Sequence, residues 1–189
     1  IPQMRITRAI SALKNMASEI IINIRMIPPN EVETSILDGQ LHIGIVPDLR
    51  TLPGLTYMPL YKEKSLLYCS EMHPLFNQDT SLINDNTLAK YDGVVPNYPQ
   101  PATIKRQQKV LKAMASSTDR EGIAFLILTG RFIGFLPEHF AQRWVSLDSM
   151  RAIEPHHRRF DTHYSAITRK GARENLILEA FLEEIKKTH

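Results

Sequence analysis

Apolar side chains recur at helical spacing at the start of the chain, with Ile6, Ile10, Leu13 and Ala17 on one stripe and Arg5, Arg8, Lys14 and Asn15 between them. The pattern predicts an amphipathic helix over residues 2–17, with Pro2 accommodated in its first turn. The period then changes. Ile20, Ile22, Ile24 and Met26 alternate with Asn23 and Arg25, which predicts a half-buried strand ended by Pro28 and Pro29. Asn30 followed by Glu33 reads as a capping box that opens a second helix, and Gly39 as its left-handed stop. Residues 41–46 form a short, mostly apolar run before Pro47, a buried strand.

Helix, strand, helix, strand in close succession implies right-handed crossovers and a mainly parallel sheet covered by helices. A parallel sheet that opens on a helix lacks its first strand. A strand and loop preceding Ile1 are therefore expected to be missing, and without an initiator Met the chain reads as a piece of something longer.

Residues 55–61 and 65–70 read as two extended stretches separated by Lys62-Glu63-Lys64, and the Pro-, Asn- and Asp-rich residues 72–86 as loop. Residues 92–96 predict a short strand, residues 103–114 a basic helix carrying Lys105, Arg106, Lys109 and Lys112. Ser117-Thr118-Asp119 opens another helix that runs to Leu128 and stops at Gly130; a buried strand over 132–136 follows, closed by Pro137. A last strand over 162–168 and a helix over 173–186 complete the chain. The sum is an α/β chain in two small lobes, with crossings expected at Lys62-Glu63-Lys64 and Glu154-Pro155.

Composition narrows the function classes. Across 189 residues, 43% hydrophobic and 23% charged content is that of an ordinary globular protein, and a net charge of +3 is too mild to argue for nucleic acid. The single Cys69 cannot form an internal disulfide, and a reducing compartment is the expectation. The most apolar stretch, residues 122–137, is interrupted by Arg131 and falls short of the ~18 apolar residues of a spanning helix.

Catalytic and metal signals are weak. His156, His157 and His163 lie among Arg158 and Arg159, so a solvated basic loop is the better reading than a metal site. His73 has no acid or nucleophile at short spacing, and Cys69 sits in an apolar strand as a small buried hydrophobe. No serine stands on a glycine-flanked strand-to-helix turn. The charges of residues 105–112 fall at helical spacing without interleaved aromatics, a solvated face rather than a nucleic-acid surface. What remains is the class of site that the fold supplies. Ligands bind outside the carboxyl ends of open parallel strands, where helix N-terminal amides favour an anion. Those ends are Pro28-Pro29-Asn30, Pro47-Asp48 and Pro96-Asn97-Tyr98, with the helix start at Ser117-Thr118 as a fourth element.

The ordered set of motifs resembles the C-terminal effector-binding domain of LysR-type transcriptional regulators. It rests on Leu37-Asp38-Gly39 before Leu41-His42-Ile43-Gly44-Ile45, on Leu66-Leu67-Tyr68-Cys69 and His73-Pro74-Leu75, and on the run from Ile127 through Gly130 to Leu136-Pro137. The resemblance implies the two-lobed fold of type 2 periplasmic binding proteins. Lobe I would comprise residues 1–63, lobe II residues 64–154, and residues 155–189 would return to lobe I. It also implies a small-molecule effector, such as a small organic acid or other anion, in a cleft lined by Pro29, Asn30, Pro47, Pro96, Asn97, Tyr98 and Thr118. It implies no cofactor, no metal and no catalytic residue. A homodimer with lobes side by side, a higher oligomer in the full-length protein, a cytoplasmic location and DNA contact only through an upstream winged helix-turn-helix domain complete the expectation. Two alternatives stand beside it: an extracytoplasmic solute-binding protein of the same fold, and an enzyme on this scaffold, which the missing acid–base constellation disfavours.

Overall fold

The computed structural model describes residues 2–187. The chain divides into two compact units, Ile1–Lys62 with His163–His189, and Glu63–Thr162.

The first unit opens on α1 (Pro2–Met16), which buries Leu13 of the anticipated stripe and, outside that stripe, Ala9. The strand expected over residues 20–26 is absent: these residues carry no regular structure. Alternation marks a strand only where a neighbouring strand takes up the backbone N–H and C=O groups. No strand among the described residues does so here, and Ile21, Ile24 and Met26 are 83%, 68% and 90% exposed. Next comes α2 (Pro29–Leu37), which begins earlier than the expected Asn30 cap. Proline has no N–H to leave unpaired and its φ is already helical, so Pro29 takes the first helical position. Asn30 therefore lies inside the first turn, where its carbonyl accepts from Thr34 Oγ1 at 3.0 Å. Glu33 closes no capping box; it is buried and pairs with Arg50 at 3.2 Å. Gly39, at φ +73°, ends the helix as anticipated. Then β1 (Gly44–Pro47) packs against α2.

A single strand, β2 (Leu55–Ser70), replaces the two expected stretches, and Lys62-Glu63-Lys64 lies within it. It carries the chain from the first unit into the second. The second unit continues with α3 (Asp85–Leu88), capped by Asn84, which begins at the end of the segment read as loop and runs past it. That segment also buries His73, Leu75 and Ile83. β3 (Asp92–Pro96) matches its expected bounds. The basic helix is shorter than expected: α4 (Ala102–Gln108) stops, and residues of its anticipated second half form β4 (Lys112–Ser117). The sequence of β4 is helix-compatible, but the parallel pairing of Asp92–Pro96 with Lys112–Ser117 overrides that preference. α5 (Arg120–Leu128) and β5 (Phe132–Pro137) follow as anticipated, the helix opening after Asp119. Two further elements were not anticipated, α6 (Glu138–Val145) and β6 (Met150–Ala152). Pro137 closes β5 and, from the N-cap position, also opens α6.

Strand pairing in this unit is mixed. β3 runs parallel to both β4 and β5, whereas β2 runs antiparallel to β5 and β6. Its sheet is covered on both faces, as the unbroken apolar runs require. Leu66 and Tyr68 of β2 and Leu136 of β5 face a core with Ile123, Ile127 and Phe140. The alternate residues Leu67, Cys69, Ile133 and Phe135 face a second core with Leu75, Ile83 and Leu88.

β7 (Arg159–Arg169) takes the chain back to the first unit, where it pairs antiparallel with β1. α7 (Leu176–Lys186), capped by Asn175, then packs on α1. The core of this unit is Val32, Ile36, Val46, Leu55 and Ile167.

Candidate functional site

In the second unit, parallel pairing brings the carboxyl ends of β3 and β4 side by side, Pro96 opposite Ser117. The Asn97 N–H donates to the Ser117 carbonyl at 2.7 Å, which fixes where the loop leaves the sheet. Asn97 and Thr118 are exposed, Pro96 and Tyr98 half-buried. Asp119 caps α5, accepting from the Gly122 N–H at 2.7 Å, while its own N–H donates to Ser117 Oγ at 3.3 Å. Pro96, Asn97, Tyr98 and Thr118 are thus gathered at one end of this sheet. The anticipated anion preference at this helix start is offset by the Asp119 carboxylate, which already serves the Gly122 amide.

The same end carries a polar cluster that the sequence did not announce. Because β2 is antiparallel to β5, with Ser65 opposite Pro137, the residue two before Ser65 lies near the start of α6. That residue is Glu63, 3% exposed. Its carboxylate accepts from the Arg120 guanidinium at 3.3 and 3.4 Å and lies 3.4 Å from His139 Nε2. Beside it Lys64 pairs with Glu138 at 2.7 Å. Burial lowers the His139 imidazole below its ordinary range against the opposing pull of Glu63, with Arg120 and Arg143 adding to the lowering. Burial raises the Tyr98 phenol, and the nearby Arg120 charge partly offsets it. Arg120 is a cation joined to a partner 57 residues away, and no local motif signals such a pair.

In the first unit, Pro47 is buried opposite Tyr164, Pro29 is half-buried and Asn30 is exposed. The Asp48 N–H donates to the His163 carbonyl at 2.8 Å, and Tyr164 stacks on Tyr61 with ring centroids 5.2 Å apart. The Glu33–Arg50 pair ties the first half of α2 to the loop after β1, so Pro29, Asn30 and Pro47 belong to one end of this unit. The Tyr61–Tyr164 stack beside Pro47 supplies an apolar wall that single-residue motifs do not reveal.

His73 is buried. Its Nδ1 accepts from the Leu75 N–H at 3.1 Å, and its ring meets Tyr91 edge-on at 4.8 Å. Burial lowers its pKa, so the unfolded chain binds the proton more readily. Its contribution to stability is complete above the unfolded value of about 6.5 and is lost as pH falls through the folded value. Urea midpoints should drop as the pH falls below about 6.5, and His73→Asn, which keeps an acceptor for the Leu75 amide, should flatten that part of the drop. An unchanged pH dependence in the variant would assign the drop to other groups.

Cys69 is fully buried, and burial pushes its thiol up to about 12. The folded protein should leave an aromatic disulfide reagent unreacted at about pH 8 and release one equivalent only on denaturation. Rapid reaction in the folded state would contradict this assignment. Among the described residues, no group of three or more His, Cys, Asp or Glu side chains is placed to hold a metal ion. Among the same residues, no helix is long and apolar enough to cross a membrane.

Comparison with known proteins agrees with this architecture. The family model of the LysR substrate binding domain matches residues 1–189. The HTH-type transcriptional activator BauR of Pseudomonas aeruginosa is 48% identical over 186 residues, covering 98% of this chain and 61% of that protein. The chain therefore spans about three fifths of the length of this relative. Among solved structures, the effector-binding domain of QuiR in complex with shikimate has a TM-score of 0.78 at 13% identity, covering 95% of this chain and 88% of that one. Full-length CbnR complexed with its target DNA has a TM-score of 0.66 at 17% identity, covering 94% of this chain and 63% of that one. These matches do not favour the extracytoplasmic solute-binding alternative, and the neighbours share the periplasmic-binding-protein-like fold. The chain belongs to the LysR substrate-binding domain family.

Proposed function

We propose that this chain is the sensory part of a DNA-binding transcriptional regulator. In this reading it takes up a small polar organic effector and has a regulatory rather than a catalytic role. The observation that carries the reading is the junction of β3, β4 and α5, where the Asn97 amide, bonded to Ser117 at 2.7 Å, sets Asn97, Tyr98 and Thr118 at the carboxyl ends of two parallel strands. Tyr98 offers an apolar ring and a hydroxyl, and Asn97 offers both a donor and an acceptor. Pro29, Asn30 and Pro47 are the corresponding residues of the first unit. The two units correspond in this proposal to the two lobes, and the effector is a small carboxylate or similar anion, as shikimate is for QuiR. DNA would be read by a segment outside this chain, as a helix-turn-helix segment is named for BauR.

A thermal-shift screen of small carboxylates, aromatics and inorganic anions tests the proposal, since a ligand that binds only the native state raises the melting temperature by mass action. At least one organic compound should give a dose-dependent rise. A screen in which only inorganic anions act, equally across wild type and Asn97→Ala, would overturn the organic-effector reading.

Association is the second part of the proposal. Met4 and Met16 on α1 are exposed, as is Met114, which lies on the edge strand β4 rather than on a helix as expected. Adaptable Met-bearing surfaces of this kind suit an isologous two-fold pair. Sedimentation at tens of micromolar should show a dimer; a clean monomer with and without a screen-derived ligand would exclude one intrinsic to this domain.

A further inference from the structure

α5 and α6 cover the same core of the second unit, through Ile123 and Ile127 of one and Phe140 and Ala141 of the other. They also run the same way. β3 is parallel to both β4 and β5; α5 leaves the carboxyl end of β4, and α6 leaves the carboxyl end of β5. Glu121 in the first turn of α5 meets Arg143 of α6 at 3.9 Å, which shows the flanks that the two helices turn toward each other. One turn beyond Glu121 stands Phe125, and one turn beyond Arg143 stands Leu147, 65% and 72% exposed. Met72 joins them from the end of β2. The Glu71 N–H donates to the Ser149 carbonyl at 3.1 Å, two residues after Leu147, and Met72, 69% exposed, lies against Gly130 at the end of α5.

Single exposed apolar side chains are ordinary; a phenyl ring, a leucine and a methionine gathered at one end of a unit form a patch. This end is the one away from Asn97, Tyr98 and Thr118. The rim indicates what covers it. Glu71 precedes Met72, Asp148 follows Leu147 and Arg131 follows Gly130; all three are exposed, and none is in an ion pair among the described residues. A partner of one charge sign would be attracted by part of this rim and repelled by the rest. A second copy related by a two-fold axis sets cation against anion on both sides, because the patch then faces itself. Covering three such side chains removes roughly a few hundred Å² on each copy, against ~800 Å² for a stable complex, so the pair is weak and concentration-dependent.

We propose that Phe125, Leu147 and Met72 form a self-association surface, on which a second copy packs the same three residues about a two-fold axis, with Arg131 of each copy facing Glu71 and Asp148 of the other. The contact uses neither the residues of the effector reading nor Met4, Met16 and Met114. It stands or falls apart from both, and adds a separate step to any pairing through those methionines.

The test is sedimentation of this chain from about 20 μM to about 1 mM, the range of a weak contact. Wild type should show an association step that Phe125→Ser and Leu147→Ser each weaken by about tenfold or more. Leu82→Ser, equally exposed but in the turn at residues 80–82, should leave it unchanged. Charge swaps test the rim. Arg131→Glu makes the rim wholly negative, and Glu71→Lys combined with Asp148→Asn makes it wholly positive, so each variant alone should lose the step. Asparagine suits the φ of +54° at position 148, and every substituted side chain is exposed, so the fold should survive. An equimolar mixture of the two charge variants should restore the step as a mixed pair. No association step up to the highest concentration, a step unchanged in Phe125→Ser and Leu147→Ser, or a mixture no better than its components overturns the proposal.

Discussion

Leu136→Ala should lower the unfolding free energy by about 2–5 kcal/mol, measured as a lower urea midpoint with an unchanged slope. Leu136 is fully buried in β5, opposite Leu66 of β2, and is packed with Ile123, Ile127 and Phe140. Every neighbour belongs to a sheet or helix fixed by its own hydrogen bonds, so the vacated volume cannot close by local collapse. The control is Leu82→Ala. Leu82 is 74% exposed, and its loss should stay within about 0.5 kcal/mol. Equal losses at the two positions would mean that the assigned core is not the core.

Gly130→Ala is the second large effect, expected to cost about 2–5 kcal/mol as the sum of two effects. Gly130 ends α5 at φ +75°, where a side chain adds roughly 1–2 kcal/mol of backbone strain. An added Cβ would also stand 2.6 Å from Met72 Cβ and 3.1 Å from the Met72 backbone, which cannot rotate away. Overpacking of this kind adds about 1–3 kcal/mol. Gly171 separates the two contributions: its φ is +68°, but nothing lies within 4 Å of its Cβ position. Gly171→Ala should therefore show the strain alone, and the difference between the variants measures the clash. Equal costs would remove Met72 from the account.

The elements most legible in the sequence are those whose pattern and punctuation agree. Residues 92–96 are a short apolar run between turn residues, and β3 occupies those positions; α1 buries part of its expected stripe, and Gly39 and Gly130 stop their helices. The misreadings share one cause, which is that pairing is not local. Residues 20–26 alternate like a strand without a partner among the described residues, whereas residues 112–117 lack the pattern and form β4 because β3 is beside them. Pro137 hid α6, since a proline that closes a strand can also open a helix.

The candidate site divides the same way. Pro96, Asn97, Tyr98 and Thr118 could be picked out because strand ends and helix starts carry turn residues, and the structure gathers them at one end of the second unit. Glu63 could not. The Lys62-Glu63-Lys64 triplet reads as a crossing between lobes until β2 turns its middle residue inward, toward Arg120 on α5.

The central claim is that this domain binds a small organic effector at the carboxyl ends of β3 and β4. Calorimetric titration of the strongest organic compound from the thermal-shift screen, into wild type, Asn97→Ala and Tyr98→Ala, tests it most directly. Saturable binding to wild type is predicted, with Asn97→Ala weakening it by about 1–3 kcal/mol through a lost buried hydrogen bond and Tyr98→Ala weakening it as well. Undiminished affinity in both folded variants would contradict the assignment.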